Sequence, residues 1–204
     1  MKVICLGFFK TGTKTLAEVF HILNMNVNGN PQCDDINHPD YIIIDNIPDC
    51  IKYHCGDEIN INDLITNFNG FHDFPYNLYY KEIYNNYPDS KFILTLRDEE
   101  LWFKSISNYQ HIPGAMNLKF NKYIFGHETF SDDNKQEIIS VFKKHNDDVI
   151  KFFSHIGELN KLLIIDITKN TGESNWNEIT KFLGIDNIYK DVNFPVCNKQ
   201  TYKN

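Results

Sequence analysis

The sequence lacks long runs of basic or of apolar residues. Acidic side chains outnumber basic ones by 27 to 20, the net charge is -7, and the longest basic run is Lys143-Lys144. A surface of this charge repels the phosphate backbone of DNA and RNA, so we expect no nucleic-acid partner. No stretch approaches the roughly 20 apolar residues of a membrane span, and the apolar part of segment 1–10 is too short for a signal peptide. We therefore expect a cytoplasmic protein without a membrane partner.

The sequence also lacks the Cys-x-x-Cys spacing that marks many zinc and redox sites. Its five cysteines are an odd number, which favours free thiols in a reducing compartment. A zinc site could be drawn from Cys33, His38, Cys50, His54 and Cys55, but the spacings of these residues differ from those of zinc fingers. We therefore predict thiols in a loop-rich stretch and no metal site.

Apolar residues make up 42% of the 204 residues, which is enough for one full core. A chain of this size buries roughly 70% of its unfolded surface, and we predict a single domain over residues 1–204. Apolar runs alternate with helical stripes, which favours an α/β domain of three layers, with a mainly parallel sheet flanked by helices. The predicted strands are 2–8, 70–75, 91–96 and 162–167, and the predicted helices are 13–23, 76–87, 99–107, 134–156 and 176–183.

The two ends of this pattern carry further expectations. The run Lys2–Phe8 is almost continuously apolar, which is typical of a strand covered on both faces, so we expect it at the centre of the sheet. We expect 162–167 to be a buried strand for the same reason. The segment 112–133 contains Pro113, two glycines and mixed polarity, and we predict a mobile excursion over one end of the sheet.

A glycine-containing turn joins the first strand to the first helix. Ligands of open α/β sheets bind at the carboxyl ends of strands, where a helix N-terminus offers unpaired N–H groups and a partial positive charge. Gly12 lets the backbone approach a phosphate, and Lys10, Lys14 and three threonine hydroxyls surround it. We predict an oxyanion cradle, and the alternative is an ordinary turn with solvated lysines. The turn has the sequence Gly7-Phe8-Phe9-Lys10-Thr11-Gly12-Thr13-Lys14-Thr15.

This cradle differs from the phosphate loop of kinases and ATPases. That motif places a lysine directly after its second glycine. Here Thr13 stands between Gly12 and Lys14, which displaces Lys14 by about 100° around the first helical turn. The spacing therefore disfavours an ordinary ATP-dependent kinase.

Two segments together resemble a known family. Lys10–Leu16 (KTGTKTL) looks like the 5'-phosphosulfate loop of the P-loop sulfotransferases, especially the soluble branch with R/K-T-G-T-K-S. Tyr87–Asp98 is similar to the third-strand block of the same family, which ends in Arg-Asp, and Ser105 follows eight residues after Arg97. The resemblance implies a P-loop nucleotide-hydrolase-like fold. It also implies 3'-phosphoadenosine 5'-phosphosulfate (PAPS) as sulfuryl donor, adenosine 3',5'-bisphosphate (PAP) as product, and no required metal.

The resemblance also implies roles for single residues. Arg97 and Ser105 would hold the 3'-phosphate, and a guanidinium suits that task because it can bind two phosphate oxygens at once. Lys10 would hydrogen-bond the leaving oxygen, where charge gathers during sulfuryl transfer. A local ion pair with Asp98 or Glu100 is the alternative for Arg97. The residues assigned to the 5'-phosphosulfate are Lys10, Thr11, Gly12, Thr13, Lys14 and Thr15.

Sulfuryl transfer to a hydroxyl or amine also needs a base for the proton that the acceptor loses. Many soluble sulfotransferases carry a histidine within K-T-H-L-P, and that position falls on Asp73 when the motif is laid on Phe71–Pro75. His72 is the second candidate, but alternation along a strand would point it to the opposite face. We predict Asp73 as the catalytic base. Asp73 could instead cap the following helix.

Three functions stay open at this point. The first is a PAPS-dependent sulfotransferase with a small-molecule acceptor, because the negative net charge disfavours a polyanionic glycan. The second is a P-loop nucleotide or small-molecule kinase, which would need magnesium and a triphosphate. The third is a non-catalytic nucleotide-binding protein of the same fold, in keeping with an aspartate where the family has its histidine. The sequence does not indicate an oligomeric state.

Overall fold

The computed structural model describes residues 1–29, 65, 67–111, 118–170, 172–186, 189 and 191–197. The strands are β1 (Val3–Cys5), β2 (Val27–Asn28), β3 (Gly70–Phe71), β4 (Lys91–Thr95) and β5 (Leu162–Ile165). The α-helices are α1 (Thr13–Ile22), α2 (Tyr80–Asn86), α3 (Glu99–Tyr109), α4 (Leu118–Phe125), α5 (Lys135–His155) and α6 (Gly172–Leu183). Short 3-10 turns at Asp132–Asn134 and Leu159–Lys161 precede α5 and β5.

The described strands form one sheet in the order β2-β3-β1-β4-β5. All four strand pairs are parallel, and Ile4 of β1 is paired with Phe71 of β3 and with Phe92 of β4. Parallel neighbours need connections that cross from one end of the sheet to the other, and helices supply those that the structure describes. The predicted α/β class, the parallel sheet and the central position of the first strand are confirmed.

The side chains of β1 alternate between two apolar layers. Val3 and Cys5 belong to a core with α1 and α6, in which Trp176 is buried. Ile4 and Leu6 belong to a second core with α2 and α5. Successive side chains of a strand point to opposite faces, so one short strand contributes to both cores. Helices therefore cover the two faces of the sheet, and the predicted three-layer arrangement is confirmed.

A third apolar cluster lies beside the loop that follows β1. It joins Phe8 of that loop to α3, α4 and the first half of α5. The rings of Trp102 and Phe142 stack with their centroids 4.2 Å apart, and the ring of Phe8 lies 5.7 Å from that of Phe125. Burial of Phe8 in this cluster anchors the loop, because a buried aromatic ring contributes a large apolar area.

The described part of the predicted mobile excursion 112–133 is largely folded into the core. Residues 118–133 contain α4 and the first residues of the turn before α5, and Phe125 and Phe130 are each only 3% exposed. The proline and glycines suggested a loop, but apolar side chains further along the segment pack into the third cluster. Residues 112–117 lie outside the described part of the chain.

Two other predicted elements differ in extent. The strand predicted over 70–75 ends at Phe71, and the helix predicted from residue 76 begins at Tyr80, because turns occupy the residues between them. β5 ends at Ile165 and lies at the edge of the described sheet. Ile164 is 40% exposed, so β5 is not the fully buried strand that its apolar sequence predicted.

The described ranges show neither a membrane-spanning helix nor a cluster of metal ligands. No helix there is long and apolar enough to cross a bilayer. The same residues contain no group of three or more His, Cys, Asp or Glu side chains that could hold a metal ion. The zinc ligands considered from the sequence, Cys33, His38, Cys50, His54 and Cys55, lie outside the described residues.

Candidate active site

The topology of the sheet places its ligand crevice at the carboxyl ends of β1 and β4. From β1 the chain runs through α1 to β2, which is at one edge of the sheet. From β4 it runs through α3 and later helices to β5, which is at the opposite edge. Neighbouring strands whose connections diverge in this way leave the space that open α/β sheets use for ligands. The loop 6–12 and the segment 96–98 both lie here.

Close contacts between Gly7, Thr11 and Thr95 shape the start of the loop. The Thr11 hydroxyl donates to the Phe8 carbonyl at 2.6 Å and lies 2.6 Å from the Thr95 hydroxyl. A Cβ atom at Gly7 would lie 1.9 Å from Thr95 Oγ1 and 2.6 Å from Thr11 Oγ1, so only glycine fits. Thr11 is fully buried. Its hydroxyl therefore supports the shape of the loop from inside.

Gly12 forms the N-cap of α1 in a left-handed conformation, with φ of 99°. A Cβ atom there would lie 2.6 Å from Ile167 Cδ1, so both the backbone angle and the contact require glycine. The N-cap makes no side-chain hydrogen bond to the helix, and the first turn holds no acidic residue. The first N–H groups of a helix have no intrahelical partner, so this end of α1 is suited to an anion.

Arg97 reaches from the end of β4 to the loop after β1. It is the only arginine of the sequence, and its Nη1 donates to the Lys10 carbonyl at 2.8 Å. Asp98 instead caps α3, accepting from two backbone N–H groups, and Glu100 pairs with Lys135. Neither carboxylate therefore holds Arg97 in the local ion pair considered above. Arg97 Nε is buried and has no hydrogen-bond partner among the described residues.

Lys10 lies among other cations. Its burial, followed by the positive charges of Lys14 and Arg97, lowers the pKa of Lys10, and the carboxylate of Asp73 opposes that shift. Like charges in a partly buried site raise each other's energy, and a bound anion would lower it. The cluster of Lys10, Lys14 and Arg97 at the N-terminus of α1 is therefore suited to a group with several negative charges.

Helix α3 lies along the loop and brings Ser105 to it. Trp102 Nε1 donates to the Phe9 carbonyl at 3.0 Å, and Lys10 Nζ lies 4.1 Å from the centroid of the Tyr109 ring. Ser105 is three residues after the first of these side chains and four before the second, so it shares their face of the helix. It is 2% exposed. The structure thus brings the face that carries Ser105 to the same loop that Arg97 contacts.

His72 and Asp73 form a hydrogen-bonded pair after β3. His72 Nδ1 lies 3.0 Å from Asp73 Oδ2, and both residues are buried. Burial and the charge of Asp73 raise the pKa of Cys5 to about 12, and the same charge acts on Lys10. The carboxylate therefore lies near both the end of β1 and the cation cluster. Within the part of the chain that the structure describes, Asp73 Oδ1 is buried without a hydrogen-bond partner.

The expectation that His72 and Asp73 point to opposite faces is wrong. It assumed a continuous strand, but β3 ends at Phe71, and Asp73 has a left-handed backbone with φ of 60°. The period-two alternation of a strand does not apply beyond its end. Asp73 is not a helix cap either, because the N-cap of α2 is Tyr79.

The remaining predicted residues lie on the first turn of α1. Thr13 and Thr15 are buried, whereas Lys14 is half-buried. The Thr15 hydroxyl accepts from the backbone N–H of Cys197 at 3.1 Å, so the segment 191–197 reaches the base of the cradle. This contact joins residues far apart in the chain, and no local sequence pattern signals it.

Aromatic rings lie next to the His72–Asp73 pair. Phe74 follows Asp73 directly, and its ring meets that of Phe120 from α4 edge to face at 4.9 Å. Both rings are half-buried. Phe120 was not among the predicted site residues, because it lies in the segment 112–133, where we predicted a mobile excursion. Tyr109 was not among them either, although the helical spacing from Trp102 and Ser105 indicates it.

A known protein family matches nearly the whole chain. No curated protein matches the sequence significantly. A family model described as a sulfotransferase domain matches residues 2–202, which is almost the whole chain. The resemblance of the loop after β1 and of the block that ends in Arg97 thus extends to the domain as a whole. The chain belongs to the sulfotransferase family.

Proposed function

We propose that this protein transfers a sulfuryl group from PAPS to a hydroxyl or amine of a small acceptor. One observation supports this most strongly: the only arginine of the chain meets Lys10 beside the uncapped N-terminus of α1, in the crevice between β1 and β4. A donor with phosphate at two positions supplies negative charge for both the guanidinium of Arg97 and the N-terminus of α1. Family membership supports sulfuryl transfer in general.

The loop residues 10–15 would hold the 5'-phosphosulfate. The backbone N–H groups at the start of α1 point along the helix axis toward the crevice, and Gly12 lets an anion approach them closely. Lys14 adds positive charge on the same turn. The Thr11 hydroxyl already has partners within the protein, so Thr11 would act by maintaining the loop.

Arg97 and Ser105 would hold the 3'-phosphate. The buried Arg97 Nε has no hydrogen-bond partner in the described ranges, and a phosphate oxygen would supply one. Ser105 lies on the face of α3 that contacts the loop, between the positions of Trp102 and Tyr109. The two residues would therefore bind the donor on the α3 side of the cradle.

Lys10 and the His72–Asp73 pair would carry the chemistry. In the transfer, the bond from sulfur to the leaving phosphate oxygen breaks while a bond from sulfur to the acceptor oxygen or nitrogen forms. Lys10 would donate a hydrogen bond to the leaving oxygen as its negative charge grows. Asp73 would take the acceptor proton on Oδ1, which accepts no hydrogen bond from the described residues, and His72 would orient the carboxylate through Oδ2. His72 is the alternative base.

The acceptor would approach from the side of Phe74 and Phe120. Phe74 follows Asp73 in the chain and its ring packs on that of Phe120, so these two half-buried rings would contact an apolar part of a small molecule. No metal takes part in the proposed step. The cytoplasmic location, the single domain over 1–204 and the absence of nucleic-acid and membrane partners stay predictions from the sequence.

A ligand-dependent melting series tests the proposal. A ligand that binds only the folded protein raises its melting temperature. We expect PAP to stabilise the protein without magnesium, and we expect radiolabelled sulfate from PAPS to appear on small acceptors in a metabolite extract. Stabilisation by ATP with magnesium, but not by PAP, would instead indicate the kinase. Binding of PAP without transfer to any acceptor would indicate the non-catalytic protein.

A further inference from the structure

We propose that Tyr109 is a positioning residue for Lys10. The aromatic ring of Tyr109 holds the ammonium group of Lys10 in the crevice by a cation–π interaction. The inference rests on the proposed function of Lys10. Lys10 Nζ lies 4.1 Å from the centroid of the Tyr109 ring, which is well inside the range of such contacts. No motif of the loop itself points to Tyr109, because the residue lies at the end of α3.

The ring has a rigid support. Tyr109 is the last residue of α3, and the helix is attached to the loop through the hydrogen bond from Trp102 Nε1 to the Phe9 carbonyl. Gln110 follows and bonds the backbone of Phe130 in both directions, at 2.6 Å to the carbonyl and 2.7 Å from the N–H. Backbone and ammonium group of Lys10 are therefore each held, the first by Arg97 and the second by Tyr109.

The choice of an aromatic ring has an electrostatic reason. Lys14 from α1 and Arg97 from the end of β4 repel the ammonium of Lys10, while Asp73 after β3 attracts it. A carboxylate at the position of Tyr109 would stabilise the ammonium, but it would also repel the anionic donor. The face of a neutral ring attracts the cation without adding a negative charge. Tyr109 thus favours the protonated lysine and leaves the crevice positive.

The contact predicts different effects for two substitutions. Tyr109→Phe keeps the ring face and should leave the pKa of Lys10 unchanged. Tyr109→Leu removes the ring and should lower the pKa of Lys10 further, by roughly half a unit to one unit. In the transfer reaction, kcat of Tyr109→Leu should fall by about threefold to tenfold near neutral pH. The alkaline limb of the plot of kcat against pH should move to lower pH.

The direct test is an NMR titration of protein carrying ¹³C at the lysine ε carbons. A Lys10→Arg variant assigns the signal, and the titration compares wild type, Tyr109→Phe and Tyr109→Leu without any donor. Tyr84→Leu is the matched control, because Lys161 Nζ lies 5.3 Å from the Tyr84 ring at the opposite end of the sheet. It should not move the Lys10 signal. Melting curves verify that each variant folds.

The possible results distinguish the positioning role of Tyr109 from the proposed sulfuryl transfer. A lowered Lys10 pKa in Tyr109→Leu, with Tyr109→Phe like wild type, supports the positioning role. Equal titrations of all three proteins overturn it, as does an active enzyme whose alkaline limb is the same with and without the ring. A wild type that neither binds PAP nor transfers sulfate refutes the proposed function, and the titration still decides whether Tyr109 holds Lys10.

Discussion

The side chain of Arg97 holds the backbone of Lys10, through the hydrogen bond of 2.8 Å from Nη1 to the Lys10 carbonyl. Lys10 needs this support because its φ of 71° lies in the left-handed region, which is unfavourable for residues with a Cβ atom. The guanidinium therefore stabilises the loop that presents the lysine. In the proposed function, Nε of the same guanidinium would bind the 3'-phosphate.

Arginine-selective chemistry should act at a single position. Arg97 is the only arginine side chain that phenylglyoxal can modify, since the sequence has no other arginine. We expect one adduct per chain by mass spectrometry, loss of sulfate transfer, and protection by PAP. The Arg97→Lys variant should resist the reagent and bind PAP more weakly by roughly tenfold or more, because an ammonium cannot replace the planar guanidinium. Loss of activity without protection by PAP would contradict the 3'-phosphate assignment.

Substitutions at Lys10 should separate backbone strain from chemistry. Lys10→Ala and Lys10→Gly both remove the ammonium, so both should lose sulfate transfer. The glycine variant should be more stable than the alanine variant by about 1 kcal/mol, because glycine adopts positive φ without a steric penalty. Urea denaturation measures the difference. Equal stability of the two variants would show that the loop relaxes away from the left-handed conformation.

Asp73→Asn should separate turnover from donor binding. Asparagine tolerates the left-handed backbone of Asp73, so the fold should persist. We expect kcat to fall by about 10² to 10⁴. Affinity for PAP, measured by calorimetry, should be at least as high as in wild type, because a negative charge near Lys10 is lost. If the variant retains turnover, Asp73 is not the base and His72 becomes the candidate. The His72→Gln variant then tests that assignment.

Gly7→Ala should disrupt the loop from beneath. The new Cβ atom would overlap the hydroxyls of Thr95 and Thr11 and separate them. We expect a loss of about 1–3 kcal/mol in the free energy of unfolding, together with weaker PAP binding. The Thr95→Val variant removes only the hydroxyl and should cost about 1 kcal/mol. A stable Gly7→Ala protein with normal affinity would contradict the role of this contact.

Stability should fall on mild acidification because of His145. Its Nε2 donates to the Leu6 carbonyl at 2.7 Å, its ring stacks on Phe8, and burial lowers its pKa below the ordinary 6.5. The unfolded chain then binds the proton more readily than the folded protein, so stability is lost as the pH falls from about 6.5 toward the folded-state pKa. Melting temperatures in buffers from about pH 8 to about pH 5 measure the loss. The His145→Gln variant should lose less stability over the same pH range. The same pH dependence in the variant and in wild type would contradict the role of His145.

The layered core follows from patterns local to the chain. The apolar runs at 2–8 and 91–96 became neighbouring central strands, and the helical stripes around them became the two outer layers. Such patterns are reliable because burial on one face or on both leaves a period in the sequence. The pattern failed for 112–133, where proline and glycine occur in a segment that also contributes Phe125 and Phe130 to a core.

The sequence alone determined the class of fold, the glycine-containing turn before α1 and the presence of cations around it, because each depends on residues adjacent in the chain or on a regular period. Only the tertiary structure decided which partners these residues have. Arg97 contacts Lys10, Tyr109 lies at the ammonium of Lys10, and Asp73 turns toward His72. The first two contacts arise from the parallel pairing of β1 with β4, and the third from a left-handed residue just past a strand end. Neither a long-range pairing nor a single backbone angle leaves a period in the sequence.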